Sequence, residues 1–194
     1  MLNLIIILIA ILSFFIGYFS APIIYKYNIK LLLTYPIWIT KNLRKLMAKG
    51  IRLYLLFGLI IFFNSLSLFL ILISEFIPLL PVFLLLWLGI NLGVSISYIS
   101  GEKHYNLVLL NPVAILEIIA TIITGFVSIK FSIQKLLHKL NFAHLNPSNL
   151  AHELSFNNTI NIYIHYSLPI LFIAAIVETA LIASVKKRDQ GSDA

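Results

Sequence analysis

The chain has 194 residues, of which 60% are hydrophobic and 11% charged, and it carries a net charge of +7 and no cysteine. A soluble domain is about 45–50% apolar and about 25% charged, so this composition is that of a lipid-solvated chain. The lack of cysteine excludes disulfides, thiolate nucleophiles and cysteine-based zinc sites. The positive residues flank apolar segments, so membrane topology explains the charge and we predict no nucleic-acid partner.

Five segments are long and apolar enough to cross a bilayer, which takes about 20 residues each. They cover residues 2–25, 53–74, 82–99, 106–129 and 159–185. We therefore predict an all-α fold, a polytopic transmembrane helix bundle of about five spans that forms a single membrane domain over 1–194. No basic residue precedes the first segment and Pro22 follows two small residues, so we expect a retained span rather than a cleaved signal.

The first loop, residues 26–52, is strongly basic and contains no acidic residue. Loops of this kind stay in the cytoplasm, which predicts an N-out, C-in orientation and places the polar loop 130–158 outside. The basic loop 26–52 also contains apolar residues that share one helical face, namely Ile39, Leu43, Leu46 and Met47. That pattern predicts an amphipathic helix that lies on a leaflet of anionic lipid headgroups. The start of the polar loop 130–158 has a similar interfacial pattern.

Small residues recur at spacings of three or four in two of the segments. The first segment has such a stripe around Gly17, and the third has Gly89, Gly93 and Ser97. Stripes of this kind let another helix approach closely, so we predict helix packing at these positions. The short turn 75–81 predicts that the second and third segments form an antiparallel hairpin.

Two carboxylates, Glu117 and Glu178, lie well inside predicted spans. An ionisable group there costs at least about 2.5 to 3.5 kcal/mol unless it is paired, neutralised or hydrated. They are candidates for a proton-sharing pair, for the lining of a polar cavity, or for a cation site together with Asn64 or Asn111. Alternatively, each is protonated or hydrogen-bonded and only locks helix packing.

The fourth segment places several polar residues on one helical face. They are Glu117, Thr121, Thr124 and Ser128. Such a face turns toward protein or water rather than lipid, which makes Thr121 a further candidate beside Glu117.

The five histidines do not form a recognisable site. No pair has the His-x-x-x-His spacing of a helical zinc site, and we predict neither a metal nor a cofactor. A Ser-His-Asp triad is excluded because both aspartates lie in the C-terminal tail. The sequence thus offers no self-sufficient catalytic site.

Three stretches together resemble the family of stage II sporulation protein M. They are Asn64 followed by 88–93 with its two glycines, the block 110–120 with Pro112 and Glu117, and the alanine-rich block 171–180 with Glu178. Val113 and Ala114 stand where the family usually has His and Gly. The resemblance implies a five-span membrane protein that, in spore formers, works within a complex for cell-wall remodelling.

Three functions follow as hypotheses. The first is a non-enzymatic scaffold or subunit of a membrane complex, which docks other membrane proteins or its own copies and contacts membrane lipids. The second is a transporter or channel-like protein that uses Glu117 and Glu178 for protons or cations. The third is an intramembrane enzyme that acts on lipid. A hydrated cavity at the two glutamates favours transport, whereas a dry interface favours assembly.

The orientation can be tested directly because the chain has no cysteine of its own. We expect a single cysteine introduced at Ser148 to react with a membrane-impermeant maleimide in intact cells, and a C-terminal reporter to be cytoplasmic. Reaction of this cysteine only after permeabilisation would contradict the five-span topology.

Overall fold

The structure, a computed structural model, describes residues 2–48, 51–100, 108–139 and 156–191. These residues are almost entirely helical and contain no strand, which confirms the all-α prediction. The helices are α1 (Leu2–Lys26), α2 (Lys30–Ala48), α3 (Leu53–Ile73), α4 (Leu80–Ser100), α5 (Pro112–Lys139), α6 (Phe156–Ile162) and α7 (Leu168–Gly191). A 3₁₀ turn, Ser74–Phe76, extends α3, and a π-helical turn, Tyr163–Ser167, joins α6 to α7.

Five helical segments in the described part of the chain are long and apolar enough to cross a membrane. They are Leu2–Lys26, Leu53–Phe76, Leu80–Ile99, Pro112–Leu137 and Phe156–Ser184. Large apolar side chains on their outer faces are exposed, as lipid-facing side chains are in a bundle of this kind. The protein is therefore an all-α bundle with five membrane-crossing helical segments.

The most extensive helix contact joins α1 and α4, which run parallel. A Cβ atom on Gly17 would overlap the backbone carbonyl of Leu86, and one on Gly89 would overlap the carbonyl of Phe14. The two backbones touch here, so only glycine fits at either position. On the same side of α1, Ala10 and Ala21 are fully buried. This contact is the close approach that small-residue stripes permit in membranes.

Helices α3 and α4 are connected by a short turn, as the two helices of a hairpin are, but they do not pack closely against each other. They are joined by the 3₁₀ turn and three further residues, among them Leu79, whose φ of 65° lies in the left-handed region. They nevertheless make little contact with each other, because α4 packs on α1 while α3 packs on α5 and α7. A gap therefore separates two helices that are neighbours in sequence.

The basic loop 26–52 contains α2, which differs from the predicted leaflet helix. One side of α2 faces the bundle, where Leu33 and Thr40 are buried and the helix contacts α4. The other side carries exposed residues such as Leu31 and Trp38. Of the apolar face that was predicted to contact lipid headgroups, Ile39 and Leu43 are half-buried and Leu46 and Met47 are exposed, and the contact with headgroups stays a prediction.

Helix α5 also differs from the predicted fourth segment, 106–129. It begins at Pro112, whose missing N–H is no loss in the first turn of a helix. Asn111 precedes it, and its Oδ1 accepts a hydrogen bond of 3.1 Å from the Val113 N–H. At the other end α5 continues to Lys139 without a break, so residues 130–139 of the predicted outside loop are helical. Residues 140–155 of that loop lie outside the described residues, and 156–158 belong to the first turn of α6.

The π-helical turn lies just before Pro169, which has no N–H to donate to the turn that precedes it. Buried side chains recur here at every fourth residue: Thr159, Tyr163, Ser167 and Leu171. In an α-helix, with about 100° per residue, such a spacing would drift by about 40° at each step. The wider π turn takes up part of that drift, which keeps these side chains on the interior side of the helix.

The α1–α4 contact can be tested with alanine at Gly89. Because the new Cβ would overlap backbone atoms of α1, we expect the helices to separate slightly, at a cost of about 1–3 kcal/mol, and thermal stability in detergent to fall. Gly58→Ala is the matched control, since no atom lies within 4 Å of a Cβ placed there. Equal stability of the two variants would contradict this packing.

Candidate functional site: an intramembrane cavity

A cavity of about 480 Å³ occupies the gap between α3 and α4. Residues of α5 and α7 line it from the bundle interior, and α2 contributes one of its walls. The cavity is open on part of its surface rather than sealed. Its volume is within the usual range for sites that bind small molecules.

Most of the cavity wall is apolar, as expected among membrane helices. Aromatic rings are prominent in it: Phe14, Tyr35, Phe63 and Trp87 come from four different helices. Each ring presents a large apolar surface, and its face attracts positive charge. The wall is therefore suited to a ligand with an apolar body.

Glu117 of α5 is the best-positioned polar group in this cavity. The Asn64 side-chain N–H donates a short hydrogen bond of 2.5 Å to Glu117 Oε1. The Thr121 hydroxyl bonds the Glu117 backbone carbonyl at 2.8 Å and also lines the cavity. Glu117 itself lines the cavity and is half-buried.

Glu178 of α7 lines the same cavity and is also half-buried. The carboxyl groups of α5 and α7 thus lie at the same cavity. Two carboxylates that share a site in a medium of low dielectric constant repel each other when both are ionised. The arrangement therefore favours binding of a proton or a cation between or beside them.

The cavity also contains polar groups that the sequence analysis did not single out. Asn91 and Ser95 of α4 line it one helical turn apart, and the Asn91 Oδ1 atom is buried without a hydrogen-bond partner. Helix α2 contributes Thr40, which is buried, and Arg44, which is exposed. The spacing of four residues between Asn91 and Ser95 could have indicated from the sequence that both lie on one face of α4. The contribution of α2 to the cavity could not be predicted in this way, because it depends on tertiary packing.

Other predicted site residues lie elsewhere. Asn111 is exposed at the start of α5 and caps that helix, so it does not join the two glutamates. Gly17 and Gly89 form the α1–α4 contact, while Gly93 is buried and Ser97 half-buried on α4.

The histidines contribute nothing to this cavity in the part of the chain that is described. His165 is exposed, and its Nδ1 lies 2.8 Å from the carbonyl of Asn161 on its own helix. His104, His144 and His152 lie outside the described residues, and nothing is described of the His138 side chain. Over the described ranges, no group of three His, Asp or Glu side chains is placed to hold a metal ion.

Comparison of the chain with family models, curated proteins and solved structures gives no match. The resemblance to the stage II sporulation protein M family therefore rests on the three sequence blocks alone and stays a prediction. The cavity has to be interpreted from its own chemistry.

The Asn64–Glu117 hydrogen bond can be measured by a double-mutant cycle with Asn64→Leu and Glu117→Leu, each of which removes one partner of the bond. From unfolding in detergent we expect a coupling energy of about 0.6 kcal/mol, the average for hydrogen bonds between membrane helices, and at most about 1.7 kcal/mol. Ser67→Ala is the control, because the Ser67 hydroxyl also lines the cavity but bonds only the Phe63 carbonyl of its own helix. Additive effects of the first two substitutions would contradict a bond between them.

Proposed function

We propose that the protein is a transport protein of the cell membrane, in which a cation and a proton compete for the carboxylates of Glu117 and Glu178. One observation carries this proposal: the two carboxylates inside the spans line a single open cavity. Transport was the function expected from such a cavity, whereas a scaffold was expected to enclose both glutamates in a dry interface. The scaffold and the lipid-directed enzyme stay predictions.

The cavity wall suggests the class of substrate. Two acidic side chains attract positive charge, and aromatic faces such as those of Trp87 and Phe63 add cation–π attraction. The mainly apolar wall would leave a small hydrated metal ion without enough oxygen ligands. An organic cation with an apolar body matches both features.

The role of the proton in this proposal follows from the free-energy cost of an ionised group inside a membrane. An empty cavity with two ionised carboxylates would be costly, so protons neutralise the site when no cation occupies it. A bound cation performs the same neutralisation, and the two ligands therefore exclude each other. Exchange of one for the other keeps the site close to neutral at each stage.

The cavity is also lined by one exposed basic residue, Arg44, whose positive charge is compatible with a cationic substrate. Arg44 lies on α2, where its guanidinium is exposed, whereas Glu117 and Glu178 are half-buried. Charges in water are screened within about 8–10 Å, while partly buried charges are screened much less. The basic loop that holds α2 supports a cytoplasmic location for this end of the bundle.

Binding can be tested with the fluorescence of Trp87, one of the chain's two tryptophans. Trp38 is exposed on α2 and can be replaced by phenylalanine, which leaves Trp87 as the sole reporter. We expect benzyltrimethylammonium to change the Trp87 emission in a saturable way and to bind more weakly as the pH falls, because protons compete for the carboxylates. We expect Glu117→Gln and Glu178→Gln to abolish the saturable change.

Glu75→Gln is the matched control for these variants, since Glu75 is a buried glutamate that does not line the cavity. It should bind the cation as the parent protein does. Saturable binding that persists in the Glu117→Gln, Glu178→Gln double variant would refute the proposed function.

A further inference from the structure

A third buried carboxylate, Glu75, lies at the far end of α3 and has no part in the cavity. Its side chain is fully buried, and neither carboxylate oxygen has a hydrogen-bond partner. The Thr159 hydroxyl faces the carboxylate without reaching hydrogen-bond geometry, and it too is fully buried. A carboxylate in this position requires a proton or a cation to neutralise it.

The positive charge that faces Glu75 is Lys135 of α5. The Lys135 ammonium is exposed and lies over two aromatic rings, 4.0 Å from the centre of Phe76 and 4.8 Å from that of Phe131. These rings hold the ammonium at an exposed position on α5. Glu75 is therefore buried but close to the end of the bundle.

A line of buried hydroxyls on α5 runs from the cavity toward Glu75. Thr121, Thr124, Ser128 and Ser132 succeed Glu117 at spacings of three or four residues, which places them on one face of the helix. All four are buried, and the exposed fraction falls from 7% at Thr121 to 0% at Ser128. At 1.5 Å per residue, the distance along α5 from Glu117 to Ser132 is about 22 Å.

Contacts with neighbouring parts of the chain position two of these hydroxyls, those of Thr124 and Ser132. The Thr124 hydroxyl lies 2.9 Å from the hydroxyl of Ser167 in the π-helical turn. The Ser132 hydroxyl donates to the carbonyl of Ile77, two residues after Glu75. The Ser128 hydroxyl, which lies between these contacts, has no hydrogen-bond partner among the described residues. The line thus reaches the level of Glu75 at Ser132 and contains one uncommitted hydroxyl, that of Ser128.

We propose that Glu75 is a second proton-binding residue, and that the α5 hydroxyls with Ser167 form a path for protons between Glu75 and Glu117. This inference rests on the proposed exchange of a cation for protons. The path assigns a role to buried polar groups that the cavity does not use, Glu75 and Ser128 among them.

The proton transfer is balanced at every step. When a cation binds beside Glu117, the Glu117 carboxylic acid loses its proton and becomes the carboxylate that the cation neutralises. Each hydroxyl of the path accepts one proton and gives up another, with water molecules bridging the gaps of about 5–6 Å between successive side chains. The Glu75 carboxylate takes up the arriving proton and then passes it to water at the end of the bundle.

The test uses the full chain in liposomes that contain the pH dye pyranine. Addition of benzyltrimethylammonium to one side should move protons in the parent protein, whereas Glu75→Gln should lose this proton movement and keep cation binding at Trp87. Gln retains the size of the side chain but cannot gain or lose a proton in this range. Proton movement by Glu75→Gln at the parental rate would overturn the path, and so would loss of cation binding in this variant, which would mark Glu75 as structural.

A second pair of variants tests the hydroxyls themselves. Ser128→Ala removes a hydroxyl that holds no hydrogen bond, so the fold should be unaffected and only proton movement should slow. Ser184→Ala is its control, because that hydroxyl is exposed and bonds the Leu181 carbonyl of its own helix. Equal proton rates in these two variants would argue against the path. Absence of cation binding in the parent protein would instead refute the proposed function.

Discussion

The backbone contact between α1 and α4 is the constraint on which the rest of the bundle depends. Gly17 and Gly89 allow these helices to touch, and no larger side chain fits at either position. Once α4 is held on α1, it cannot also pack along α3, to which the chain connects it directly. The space left between α3 and α4 becomes the cavity, so the position of two glycines determines where the polar site is open.

Polar side chains in this protein are arranged by the cost of leaving them unpaired in a medium of low dielectric constant. Serine and threonine side chains satisfy this requirement locally, as when the Thr121 hydroxyl bonds the carbonyl of Glu117 four residues earlier. Carboxylates cannot do so, because they lack a proton to donate once ionised. Glu117 therefore receives a donor from another helix, Asn64 on α3, and it lines the cavity.

The sequence was sufficient to predict the spans, because hydropathy over about 20 residues is a local property. It also singled out Glu117, Glu178 and Asn64 as candidate site residues, since placing a polar side chain inside a span costs free energy. It could not identify which helix meets the stripe around Gly17, because a stripe indicates a close partner without specifying it. The position of α2 was not predictable either, since lipid tails and protein interiors are equally apolar and one amphipathic face suits both.

The π-helical turn at Tyr163–Ser167 has a consequence for how the chain tolerates insertion and deletion. A turn of this kind holds one residue more than an α-helical turn, and each residue rotates a helix by about 100°. Removal of one residue within this turn would let α6 and α7 join as a regular α-helix and would leave Glu178 in nearly the same orientation relative to Thr159, because the π turn already absorbs the extra residue. Removal of one residue from the α-helical part between the turn and Glu178 would instead rotate Glu178 by about 100° relative to Thr159. The chain between these two residues therefore tolerates a deletion at the turn and not elsewhere.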